Sequence, residues 1–287
     1  MREGDEMESK QTEIIGLIGH PVGHSMSPVM HNAMFKELGL NYHYVAFDVQ
    51  PSQLKEAITG VKALQIKGFN VTIPHKVSIL PFLDEISEEA KVIGAVNTVV
   101  NLDGRLIGYN TDGEGYLQSL IEETGVFLQD KKIVILGAGG AAKGISYAFA
   151  KHPIAKLTIV NRDLEKANQL TDVIKNRISV LSTTYEQLNE VLQEVDIVVN
   201  TTSIGMYPNI NETILPKDWI KANHLISDIV YNPLETKLLK DAKDQGAMTH
   251  SGLGMFVHQG ALAFKKWTGY DANPNLMKKI VLEKLTT

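Results

Sequence analysis

The stretch KKIVILGAGGAAKG, residues 131–144, constrains this chain more than any other. An apolar run of strand length enters Gly137-Ala138-Gly139-Gly140-Ala141-Ala142, and a helical pattern follows. A GxGxxA loop between a strand and a helix suits a dinucleotide. The first glycine permits the tight turn, and the second lets the backbone approach a pyrophosphate. The free N–H groups of the helix N-terminus face that anion. Gly137, Ala138, Gly139, Gly140 and Ala141 are therefore candidate cofactor contacts, with a purely structural glycine turn as the alternative.

Around this loop, strand-length apolar runs alternate with helical patterns, which predicts an α/β protein with mainly parallel sheets. Strands are expected at 14–19, 42–49, 68–73 and 95–101, with helices starting near Pro28, Pro51 and Ile79. Ser27 reads as a side-chain cap ahead of Pro28, with Gly39 as the stop. Thr111 and Glu114 have the spacing of a capping box, and Gly125 that of a C-terminal stop. Four further strands, at 131–137, 156–160, 196–200 and 225–230, form a second, doubly wound unit. The tail from Met255 reads as helical. Residues 1–13 form a polar head expected to fray.

The 287 residues are 44% hydrophobic and 21% charged, which fits a soluble protein. A formal charge of −5 gives no footprint for nucleic acid or an anionic membrane. The absence of cysteine excludes disulfides and thiol chemistry. With no apolar segment of signal or membrane-spanning length, a cytoplasmic setting is expected. No stripe distinguishes an interface from core, so both monomer and homodimer stay open.

The strand after the glycine loop ends in Asn161-Arg162-Asp163, with Lys166 one turn on. A carboxylate at this place would hold a ribose 2′-hydroxyl, whereas two cations suit a 2′-phosphate. The pattern favours NADP, with Asp163 the feature that leaves NAD open. In the first unit, polar residues cluster at strand ends: Ser25 and Ser27 before a helix, Asn70, Thr72 and Lys76 in GFNVTIPHK, then Asn97 and Asp112. Ligands gather beyond the carboxyl ends of strands in open α/β sheets. The set, with Lys76 and Asp112 of opposite charge, suits a small polyhydroxylated acid. His20 and His24 have a spacing seen in zinc sites, but nothing completes a ligand set, so no metal is expected. His75, beside Lys76, reads as tuning the site or facing water, with water the expected case.

These residues carry a resemblance. GHPVGHSMSP, GFNVTIPHK, GAVNT, GYNTDGEG, ILGAGGAAKG, VNRD, NTTSIGM, DIVYNP and GLGMFVHQGA occur in the order found in the shikimate dehydrogenase family. The resemblance runs from about Ile15 to the C-terminal helices. It implies a substrate lobe (1–113), an NADP-binding Rossmann lobe (114–254) and C-terminal helices (255–287) that return to the substrate lobe. It implies NADPH-dependent, reversible reduction of 3-dehydroshikimate to shikimate in aromatic amino-acid biosynthesis. Lys76 and Asp112 match the catalytic pair, and Ser25 and Ser27 the carboxylate site. Asn70, Thr72, Asn97, Tyr231 and Gln259 match the other substrate contacts. Asn161, Arg162 and Lys166 match the adenosine phosphate site, while Thr201, Ile229, Gly252 and Met255 line the rest of the cofactor pocket. Asp163 departs from the small hydroxyl residue common in NADP members and points to quinate/shikimate dehydrogenases that also use NAD. A non-catalytic sensor of a shikimate-like metabolite and a different Rossmann enzyme are the remaining alternatives.

Overall fold

A computed structural model describes residues 12–286. The polar head lies almost wholly outside that range, and Glu13 already belongs to the first strand. The first half contains β1 (Glu13–Gly19), α1 (Ser27–Glu37), β2 (Tyr42–Asp48), α2 (Leu54–Ala63), β3 (Gly68–Val71), α3 (His75–Ser78), β4 (Glu85–Ile86), α4 (Glu88–Ile93), β5 (Thr98–Leu102) and β6 (Arg105–Tyr109). Then α5 (Asp112–Thr124) leads to β7 (Lys132–Leu136), α6 (Gly140–Phe149), β8 (Lys156–Val160), α7 (Leu164–Ile174), β9 (Val180–Thr183) and α8 (Leu188–Val191). The chain ends with β10 (Ile197–Asn200), β11 (Leu225–Asp228), α9 (Lys237–Asp244), β12 (Met248–His250), α10 (Gly252–Thr268) and α11 (Pro274–Leu285).

Two six-stranded sheets result, ordered β2-β1-β3-β5-β6-β4 and β12-β11-β10-β7-β8-β9. The second is parallel throughout. Its strands alternate between two cores: Ile133 and Ile135 face one cluster, Val134 and Leu136 the other. A sheet covered on both faces needs such continuous apolar runs. In the first sheet only β5 runs against its neighbours, pairing antiparallel with β3 and β6. That hairpin turns on Asp103 (φ 51°) and Gly104 (φ 91°), a two-residue loop with both central residues left-handed.

The predicted strand at 95–101 begins at Thr98, and β4, β6, β9 and β12 lie outside the predicted strands. β3 stops at Val71, leaving Ile73 exposed rather than facing the core. The helix expected from Ile79 is instead the one-turn α3 followed by a tight turn, and α4 starts separately on a Ser87 cap. The helical tail starts at Gly252, before Met255, and breaks at Gly269. Gly39 and Gly125 do take the left-handed positions that end α1 and α5.

The C-terminal helices pack on the first sheet. Phe264, Trp267, Met277 and Val281 share a cluster with Ile15, Leu17, Met30 and Phe35. Trp267 Nε1 donates to Val99 O at 2.9 Å, and the indole occupies the space left by the absent side chain of Gly68.

Two buried histidines weaken the fold in acid. Burial lowers His31 to about 3. Burial, opposed by the Glu123 carboxylate, lowers His250 to about 4. Both folded values lie below the unfolded value near 6.5, so this stability is complete above pH 6.5 and drains as pH falls through that window. Neither ring nitrogen of His31 has a hydrogen-bond partner, so phenylalanine is a fair replacement. The stability of His31→Phe relative to wild type should rise by about 1.4 kcal/mol per pH unit below 6.5. Urea unfolding at pH 7, 6 and 5 reads this, and a constant difference refutes it.

Candidate active site

The carboxyl ends of the two sheets meet across α5 and the glycine loop. Lys76 lies on α3, the single turn that follows β3, and its carbonyl accepts Val96 N–H at 2.8 Å. Asp112 is the first residue of α5, where a carboxylate is favoured by the helix dipole. Lys76 Nζ donates to Asp112 Oδ2 at 2.6 Å, with side chains 19% and 5% exposed. The other carboxylate oxygen, Oδ1, accepts from Asn97 Nδ2 at 2.8 Å. The lysine is thus anchored at one edge of a cleft while part of it stays open to a ligand.

Lys76 also reaches the other lobe. Its Cδ lies 3.6 Å from the position a side chain would take at Gly140. Gly113 and Gly144 bring α5 and α6 into backbone contact just behind Asp112. The ion pair and the dinucleotide-type loop are therefore neighbours, which separate motifs in the sequence could not establish.

On the loop, Gly137 has φ +108° and lies against Thr201, whose hydroxyl donates to Leu136 O at 2.7 Å. Gly139 caps α6 with no side chain to occupy the first-turn N–H groups, and the space beside it is open. A phosphate fits this arrangement. Ala138 lies between these glycines on the loop, and Ala141 is in the first turn of α6. Gly252 packs directly on Ile229 O, so α10 begins against the end of β11, with Met255 buried one turn on. Asp228, at the end of β11, accepts from Asn200 Nδ2, Val230 N–H and Thr236 Oγ1. Burial, partly offset by these bonds, raises it to about 6.

Past β8, Asp163 is the side-chain cap of α7, accepting from Glu165 N–H and Lys166 N–H. Its other oxygen lies 3.7 Å from Lys166 Nζ. Asn161 Nδ2 donates to Asp163 O at 2.9 Å, bracing the same turn. Arg162 is exposed and near Tyr185.

The first-lobe candidates divide. Asn70 and Asn97 are buried in one hydrogen-bond network. Thr72 is half-buried, its methyl against Gly19. Tyr231 stacks on Phe256 at 4.5 Å, and burial, opposed by a bond with the Met26 backbone, pushes its phenol up to about 12. Gln259 Nε2 bonds Phe256 O, and its own carbonyl accepts from Thr111 Oγ1 at 3.1 Å.

Three expectations need correction. Ser27 is the first helical residue rather than a side-chain cap; Ser25 Oγ instead accepts Ser27 N–H at 3.2 Å. Thr111 makes no capping box, because its hydroxyl bonds the Gln259 carbonyl while Asn110 Oδ1 accepts Asp112 N–H. His75 does not face water. It is wholly buried, with Nε2 bonded to Val49 O. His20 pairs with Asp48, and among the described residues no His, Cys, Asp and Glu group could hold a metal.

Two cavities of about 300 and 320 Å³ lie at the amino ends of the sheets, beside Lys132 and Lys156 and beside Glu13 and Lys67. The cleft at the carboxyl ends is the better site because the convergent polar groups are there.

A dinucleotide-type loop facing an acid–base pair on a second α/β unit defines a two-lobed dehydrogenase architecture. Residues 17–99 match the family model described as Shikimate dehydrogenase substrate binding domain, 119–229 that of Shikimate / quinate 5-dehydrogenase, and 252–282 that of Shikimate 5′-dehydrogenase C-terminal domain. The chain belongs to the shikimate dehydrogenase family. It is 50% identical over 273 residues to the Shikimate dehydrogenase (NADP(+)) of Geobacillus sp. (strain WCH70), covering 95% of this chain and 99% of the relative. A crystal structure of a shikimate dehydrogenase in complex with NADP+ superimposes with a TM-score of 0.89 at 50% identity, covering 96% of both chains. The shikimate 5-dehydrogenase of Listeria monocytogenes, in complex with shikimate and NAD, gives 0.86 at 40% identity, covering 96% of this chain and 98% of that one. Among the described residues no helix is long and apolar enough to cross a membrane.

Proposed function

We propose that the protein is an NADP-dependent shikimate dehydrogenase that interconverts 3-dehydroshikimate and shikimate in aromatic amino-acid biosynthesis. The observation that carries this is the Lys76–Asp112 pair at 2.6 Å, set beside the dinucleotide-type loop at Gly140. Ser25 and Ser27 take the substrate carboxylate, and Thr72, Tyr231 and Gln259 the ring hydroxyls. Asn70 and Asn97 serve the same site from its floor. Residues 137–141 would hold the pyrophosphate, Asn161, Arg162 and Lys166 the adenosine phosphate, and Thr201, Ile229, Gly252 and Met255 would line the remainder. The reduced nicotinamide, when bound, supplies the hydride to the carbonyl carbon. Lys76, as an ammonium, donates a proton to the carbonyl oxygen as negative charge develops there. Asp112, held by Asn97, keeps that ammonium directed into the cleft.

The placement of Asp163 supports NADP over NAD. Its carboxylate caps its own helix at the Glu165 and Lys166 N–H groups, and exposed Arg162 beside it is placed to meet a 2′-phosphate. Residues 1–113, 114–254 and 255–287 act as substrate lobe, cofactor lobe and returning helices in a cytoplasmic monomer or homodimer. Nicotinamide absorbance should rise strongly for shikimate with NADP and little for quinate or for NAD. Comparable NAD rates or clear quinate oxidation would move the assignment to a quinate/shikimate dehydrogenase. No turnover by folded protein in any combination would leave a metabolite-binding role.

A further inference from the structure

The ion pair ends a chain of buried hydrogen bonds that starts well away from it. Tyr44 Oη donates to Asn70 Oδ1 at 2.8 Å. Asn70 Nδ2 donates to Thr98 Oγ1 at 3.2 Å and to Asn97 O at 3.1 Å. Thr98 Oγ1 donates to Asn97 Oδ1 at 3.0 Å, and Asn97 Nδ2 reaches Asp112 Oδ1 and Thr111 Oγ1. At its far end Tyr44 shares a hydrogen bond with the Ser27 side chain.

We infer that Tyr44 and Thr98 are positioning residues whose hydroxyls fix the two asparagine amides, and through them the carboxylate that holds Lys76. An asparagine amide is nearly symmetric in shape, so its partners decide which way it faces. Asn97 O, which can only accept, takes one Nδ2 proton of Asn70; the other meets Thr98 Oγ1, and Oδ1 is held by the Tyr44 hydroxyl. Having accepted that bond, Thr98 has one proton to give, and it goes to Asn97 Oδ1. Thr111 N–H donates to the same oxygen at 2.8 Å. With its oxygen committed twice, Asn97 can only present Nδ2 to Asp112 Oδ1, which leaves Oδ2 for Lys76. Reversing Asn70 would set its Oδ1 against Asn97 O, and reversing Asn97 would set Nδ2 against Thr111 N–H and Oδ1 against Asp112 Oδ1, at about 1–3 kcal/mol per unsatisfied group. Tyr44 and Thr98 are 1% and 0% exposed, and both hydroxyls are taken up by this network. The Tyr44 ring is fixed in turn by His31, stacked on it at 4.6 Å and 16°.

For its kinetic readout this inference rests on the proposed reaction. Thr98→Val keeps the shape and removes the hydroxyl, and Thr98→Ser keeps the hydroxyl. Thr98→Val should lower kcat roughly tenfold or more with KM for NADP little changed, and Thr98→Ser should recover most of it. Tyr44→Phe should act in the same direction, and the double variant should lose no more than the worse single one. Independently of turnover, Lys76 should react faster with trinitrobenzenesulfonate in Thr98→Val than in wild type or Thr98→Ser, read by peptide mass spectrometry. Unchanged kcat and labelling in Thr98→Val and Tyr44→Phe overturn the inference, as does equal impairment by Thr98→Ser. An inactive wild type that still shows the labelling difference would sink the reaction and leave the relay standing.

Discussion

Lys76→Ala should lower kcat by about 10²–10⁴-fold, the usual contribution of a placed acid or base, with NADP binding retained. Lys76 Nζ sits 2.6 Å from Asp112 Oδ2 and its stem lies beside Gly140, while the dinucleotide-type loop is built from backbone that the substitution does not alter. Asp112 keeps its bond to Asn97 and its favourable place in the first turn of α5, so it is not left wholly unpaired. Lys76→Met, which retains the stem against Gly140, separates charge from packing and should be nearly as slow. Steady-state kinetics with shikimate and fluorescence titration with NADPH are the measurements. A raised KM with kcat intact would mean that Lys76 binds substrate without transferring a proton.

The second large effect is on stability. A Cβ at Gly113 would lie 2.2 Å from Gly144 O and 2.7 Å from its carbonyl carbon, and backbone atoms of a neighbouring helix cannot step aside. Gly113→Ala should cost about 3 kcal/mol, the upper end of overpacking, and lower Tm by roughly 5–10 °C. It should also push Asp112 away from Lys76 and depress kcat. Gly60→Ala is the contrast: it lies inside α2 with nothing within 4 Å, and should stabilise by about 0.5–1 kcal/mol through helix propensity. Equal melting temperatures for the two variants would show that α5 and α6 do not cross as tightly as described.

Much of the architecture was legible because it follows from local chemistry. KIVIL reads as a doubly covered strand since both of its faces are apolar, and the glycine loop reads as a turn because only glycine tolerates φ near +108° at Gly137. The β5–β6 hairpin was missed although Asp103-Gly104 is a strong two-residue turn signal. The short strands β9 and β12, four and three residues long, carry too little periodicity to be read.

Side-chain roles were less legible, for a consistent reason. Thr111 and His75 were each read from their neighbours in sequence, but their partners come from elsewhere in the fold. His75 bonds Val49 and Thr111 bonds Gln259, 148 positions away. Tyr44 and Thr98 gave no signal, since an aromatic and a β-branched residue in strands are ordinary. Asp163 reads as a ribose ligand or a bystander, and in the fold it caps α7.

The sequence by itself determined the two α/β units, the dinucleotide-type loop and the residue types that gather at strand ends. These depend on periodicity and backbone freedom within a few residues. Only the tertiary structure decided that Lys76 meets Asp112, that Gly113 lets α5 close on α6, and that Trp267 returns to Gly68. Those contacts join segments tens to hundreds of residues apart, and hydrogen-bond and packing geometry at that range has no trace in local pattern.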